Sequence, residues 1–186
     1  MKLRALAPAL AAVTALSLLA TAPAQASTMP ELGLSKGRAM MGLGVLGGSY
    51  DLALSDQLSV GGVASAWGGF GVNALSLGAR GTYLLAKLDH NIQLGVTGGL
   101  GASVVGAAGF GATSLAANVG PTVRWPLPIP LLGGQQVILR AGLDIGIPLT
   151  GGGLGWSPDV ELAWRFNKNE EWTVGGGTLV GWRKFL

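Results

Sequence analysis

The chain has 186 residues, of which 11% are charged and 33 are glycine, and it contains no cysteine. A soluble domain usually carries about 25% charged residues, so this one has too little charge to cover a water-facing surface, and the missing cysteine excludes a disulfide framework or a lipid-modified thiol. The formal charge of +3 falls to +1 without Lys2 and Arg4, and no basic face interleaves with aromatics, so nucleic acid is not an expected partner.

Met1-Lys2-Leu3-Arg4 opens the chain, an apolar stretch runs from Ala5 to Ala22, and Ala24-Gln25-Ala26 precedes Ser27. That order is the layout of a secretory signal peptide, with cleavage expected after Ala26. Residues 1–26 are therefore read as a signal peptide, 27–37 as a periplasmic N-terminal lead and 38–186 as a transmembrane barrel.

Leu94 to Ala117 has no charge and is long enough to span a bilayer as a helix. It also holds seven glycines. Each would cost a helix interior about 0.8–1 kcal/mol relative to Ala, about 6 kcal/mol in all. Periodicity decides against the helix. Ile92, Leu94, Val96, Leu100, Ala102 and Val104 alternate with Gln93, Gly95, Thr97, Gly99, Gly101 and Ser103, which is a strand with an apolar side.

The same period recurs along the chain. Ala39–Leu54 and Leu58–Trp67 show it weakly, and Asn73–Lys87, Thr113–Leu127, Gln136–Leu149, Pro158–Asn167 and Trp172–Leu186 show it clearly. Eight segments, each long enough to cross at a tilt, predict an all-β, eight-stranded antiparallel transmembrane up-and-down barrel, closed because an open edge would leave backbone groups unpaired in hydrocarbon. A soluble barrel would place its charges outside, whereas here the strand charges share a face with Gly, Ser and Thr.

With eight strands and both termini periplasmic, the connections at Ser55-Asp56-Gln57, Leu88–Asn91, Pro126–Gly134 and Asn167–Glu171 are expected outside the cell. Aromatics would form two girdles, Tyr50, Tyr83, Trp125, Phe166 and Trp172 by those connections and Trp67, Phe70, Phe110, Trp156 and Trp182 by the others.

From the leader through the eight segments to the final strand, Thr178-Leu-Val-Gly-Trp-Arg-Lys-Phe-Leu186, the chain resembles the small eight-stranded outer-membrane barrels of the OmpA/OmpX-like class. The resemblance implies a bacterial outer-membrane location, contact with outer-membrane lipid, and recognition of the C-terminal strand by the barrel-assembly machinery. The class favours a terminal Phe, whereas this chain ends Phe185-Leu186. Its members include anchors, adhesins and lipid-modifying enzymes, so the fold does not supply the function.

Motifs for chemistry are sparse. Gly42-Leu-Gly-Val-Leu-Gly47 matches G-x-G-x-x-G, but a dinucleotide site needs a following helix, and here the glycines lie in a strand pattern. His90, the single histidine, sits in the turn Asp89-His90-Asn91 with no paired serine, which argues against a lipid-modifying hydrolase centred on it. No catalytic residue, metal or cofactor is expected.

Inward charges are the most informative set: Arg80, Arg124, Arg140, Arg165 and Arg183 against Asp51, Asp144, Asp159 and Glu161. Counting back from Pro148–Trp156 places Arg140 opposite Arg165 and Asp144 opposite Glu161, as crossed pairs filling a narrow lumen. A structural or surface-interaction role without catalysis is the expectation, with a narrow channel for small solutes through the charged lumen and a lipid-modifying outer-membrane hydrolase centred on His90 as the alternatives.

Overall fold

A computed structural model describes residues 29–69, 72–107, 110–129, 132–151, 153–176 and 179–186. The segment read as a signal peptide lies outside the described residues, as does Phe70. Ten antiparallel strands form a closed up-and-down barrel: β1 (Ala39–Gly44), β2 (Gly47–Ala53), β3 (Leu58–Gly69), β4 (Val72–Lys87), β5 (Gln93–Ala107), β6 (Phe110–Pro126), β7 (Gln136–Pro148), β8 (Gly155–Asn167), β9 (Glu170–Gly175) and β10 (Val180–Phe185). Each strand pairs with its chain neighbours, and β1 pairs with β10 from Met40–Phe185 to Gly44–Gly181, which closes the sheet.

Ten strands stand where eight were expected, because Ala39–Leu54 and Trp172–Leu186 each fold into a hairpin. Residues 45–46 reverse the first between Gly44 and Gly47. In the second, Gly175 (φ +92) and Gly176 (φ +62) take up left-handed backbone that costs glycine little. Gly42–Gly47 thus spans a hairpin, with no helix after it.

The extra strand at each side keeps the count even but reverses the ends. The ends of β2, β4, β6 and β8, where the connections after residues 53, 87, 126 and 167 begin, lie at the same end as the start of β1 and the end of β10, called here the termini end, not opposite it. Contacts across this end agree: the Lys36 backbone N–H donates to Asp56 (2.8 Å), and Arg38 Nη2 donates to Asn169 (3.2 Å). The far end is where β1, β3, β5, β7 and β9 finish, and the sequence between each of them and the next strand carries no charged residue.

The two faces follow the alternation. Leu75, Leu77 and Leu85 of β4, Leu100 and Val104 of β5, and Val160, Leu162 and Trp164 of β8 are exposed, while Ser76, Thr82, Ser103, Thr122, Arg140, Glu161 and Thr173 on the other face are buried. Trp164, Trp172 and Trp182 lie side by side across β8, β9 and β10, so Trp182 joins the row nearer the termini instead of the far girdle. Trp67 pairs with Ala74 at the lumen-facing parity and is no part of an outer girdle.

Residues 29–34, read from sequence as part of a periplasmic lead, instead enter the barrel. Met29, Glu31, Leu32 and Leu34 are all buried. Inward glycines make room for them: a Cβ on Gly95 would stand 2.4 Å from Leu32 Cδ2, and one on Gly142 would stand 3.2 Å from Met29 Cε. Leu34 then packs with Met40, Ala53 and Phe185 as an apolar floor near the termini.

Candidate functional site: a charged cluster in the lumen

Strand register places the inward charges in two rows. Arg183 of β10, Glu171 of β9 and Arg165 of β8 are successive cross-strand partners. Glu161 of β8, Arg140 of β7 and Arg124 of β6 form the second row. Within and between rows, Arg140 Nη1 donates to Glu161 Oε1 (3.2 Å) and Nη2 to Glu171 Oε1 (2.7 Å). Arg183 reaches both oxygens of Glu161, Oε2 at 2.7 Å, and Arg165 Nη2 donates to Glu171 Oε2 at 2.9 Å. The Arg165 guanidinium also stacks 4.4 Å from the centre of the Phe185 ring.

Glu31 closes the cluster from the N-terminal segment. Its Oε1 accepts from Arg124 Nε (2.9 Å) and Arg165 Nη2 (3.1 Å), its Oε2 accepts from Arg140 Nε (2.9 Å) and Nη2, and Arg183 Nη1 stands 3.8 Å away. The Met29 backbone N–H donates to Glu161 Oε2 (3.3 Å), tying the same segment to the second row. Burial of the Glu31 carboxylate is offset by the guanidinium groups of Arg140, Arg124 and Arg165, which donate to it, and by Arg183 beside them. The cluster thus sets four arginines against three glutamates, nearly neutral.

No family model, curated protein or solved structure matches this chain.

Of the residues singled out in the sequence, Arg124, Arg140, Glu161, Arg165 and Arg183 come together here. Arg80 pairs elsewhere, two strands across with Asp51: Nε donates to Oδ1 at 2.8 Å and Nη2 to Oδ2 at 2.5 Å. Asp159 is the next inward residue of β8 beyond Glu161, and Asp144 faces the lumen from β7. The crossed pairing expected for β7 and β8 does not occur. Arg140 stands opposite Glu161, Gln136 opposite Arg165 and Asp144 opposite Ser157, because the reversal runs through Thr150 and Gly151 (φ +106) and β8 starts at Gly155, ahead of Pro158.

Two cluster members escaped the sequence reading. Glu171 was assigned to a connection, although it is the lumen-facing neighbour of Trp172. Glu31 precedes every strand, so no period marked it. The excess of one inward arginine over inward acid in the sequence is met by Glu171 alone, so nothing in the count pointed to Glu31. His90 lies exposed in a turn at φ 60, and none of the described residues hydrogen-bonds its side chain.

Gly61 explains how Asp51 and Arg80 meet. It is the inward residue of β3 between them, and a Cβ there would lie 2.3 Å from Asp51 Oδ1 and 2.2 Å from the Tyr50 carbonyl oxygen. Gly61→Ala is expected to cost about 1–3 kcal/mol in urea unfolding, as overpacking does. Gly62→Ala, one residue on and facing out, meets nothing nearer than 3.7 Å and should stay within about 0.5 kcal/mol of wild type. Equal costs would mean that the pair is not held through this gap.

Proposed function

We propose that the chain is an integral protein of a bacterial outer membrane whose barrel is closed by its own N-terminal segment and serves a structural role, without catalytic chemistry. The observation that supports this best is the inversion of polarity: the outer face is leucine, valine and tryptophan, while arginine and glutamate are buried in the lumen. Water would leave that outer surface unpaid for, whereas lipid suits it. A closed sheet also leaves no unpaired edge for hydrocarbon to meet. The C-terminal strand β10, paired to β1 at the seam, is the element the barrel-assembly machinery would read.

A packed ion cluster and an inserted segment leave little of the termini end for solute, so an open channel is the weaker reading. Short connections at both ends likewise offer little for adhesion.

Orientation gives the test. With both termini periplasmic, as in outer-membrane barrels, cysteines at Asp56, Asp89 and Asn169 should resist an impermeant thiol reagent on intact cells, and one at Val45 should react. Labelling of the first three but not the fourth would place the termini outside and refute the proposed orientation. Protection of all four, with the chain recovered in the soluble fraction, would remove the membrane reading itself.

A further inference from the structure

Counted over all strands the lumen wall balances, Arg80, Arg124, Arg140, Arg165 and Arg183 against Asp51, Asp144, Asp159, Glu161 and Glu171, but around the cluster it does not. Its two rows carry Arg124, Arg140, Arg165 and Arg183 against Glu161 and Glu171, and the third glutamate comes from a segment that belongs to no strand. Arg140 and Arg183 are fully buried, and Arg124 is nearly so. Uncompensated charge at that depth is costly, so the wall by itself is a receptor for an anion. The geometry it presents is that of a carboxylate site. Both oxygens of Glu31 take guanidinium N–H donors, Oε1 from Arg124 and Arg165 and Oε2 from Arg140. Apolar contacts hold the segment beside it, Leu32 against Gly95 and Leu34 against Met40 and Phe185.

We infer that Arg124, Arg140, Arg165 and Arg183 form a carboxylate-binding site in the lumen, filled in cis by Glu31 acting as a tethered ligand. A small free carboxylate takes the site when the Glu31 carboxyl is absent. The inference concerns the lumen and does not rest on the membrane reading.

Chemical rescue tests it. The full chain with Glu31→Ala, refolded from urea into detergent micelles, is heated in sodium chloride, acetate or propionate at matched ionic strength. Acetate and propionate should raise its thermal midpoint by about 3 °C or more over chloride, increasing with concentration as for a ligand bound only by the folded state. Wild type, whose site is filled, should show no such difference. Glu31→Ala that folds in propionate but not in chloride supports the site equally. A folded Glu31→Ala that responds alike to all three anions overturns it. So does failure to fold in any of them while Glu31→Asp, which keeps the carboxylate, folds normally.

Discussion

Replacing Glu161 by Gln is expected to lower the free energy of unfolding by about 3–5 kcal/mol, the usual loss when one partner of a buried ion pair is removed. Glu161 is fully buried, accepts from Arg183 through both oxygens and from Arg140 at 3.2 Å. A glutamine keeps one acceptor and turns an amide donor toward a guanidinium. Arg183 retains only Glu171 at 3.2 Å and Glu31 at 3.8 Å. A second change, Arg183→Met, should recover much of the loss, because it removes the charge left without its main partner. Arg165→Met should not, since Arg165 contacts Glu31 (3.1 Å) and Glu171 (2.9 Å), with no ion pair to Glu161. Urea unfolding of wild type, the three single variants and the two doubles checks this. Coupling of about 1–3 kcal/mol is expected for positions 161 and 183, and under about 0.5 kcal/mol for 161 and 165. The reverse order would mean that the β8–β9 or β9–β10 register is offset from the one described.

Strand alternation made the two faces legible, and turn geometry decided where that legibility stopped. Outward Leu94, Leu100 and Val104 and inward Thr97 and Ser103 follow directly from a period of two, since lipid-facing and lumen-facing positions must alternate. The strand count failed for two different reasons. Between β9 and β10 the reversal preserves parity, with 171, 173 and 175 inward and then 181, 183 and 185, so the alternation runs through the turn and hides it. Between β1 and β2 parity flips, from inward 40 and 42 to inward 49 and 51, and this blurred the pattern there. Because each missed turn also exchanges the two ends, an error of one hairpin per side reversed the assignment of every connection.

The candidate site was half legible for a related reason. Arginines inside strands could be placed by parity, but their partners depend on register, and register is fixed by where a glycine turn such as Gly151 falls, not by period. Glu31 depends on neither. Its place follows from a local excess of arginine that appears only once register groups the charges into rows, and from inward glycines at 95 and 142 whose vacancy reads as room only once another segment fills it.

Leu100→Arg is expected to be the most damaging single change on the outer face. Leu100 lies midway along β5, is 61% exposed and is flanked by Ala79 on β4 and Ala117 on β6, so an arginine there has no polar neighbour to reach. At the middle of a bilayer such a charge costs about 2–4 kcal/mol, falling toward zero near the interfaces. Leu88→Arg is the matched control: the residue is 50% exposed but sits where the chain leaves β4 at the termini end. Refolded into lipid vesicles and unfolded with urea, the Leu100 variant should lose about 2–4 kcal/mol and the Leu88 variant less than about 1 kcal/mol. Depth alone separates the two, because exposure and substitution are nearly the same. If the outer face meets water instead, Leu100→Arg should leave stability unchanged and raise solubility, since it would replace an exposed leucine with a hydrated charge. That outcome would sink the outer-membrane reading and leave the lumen cluster untouched.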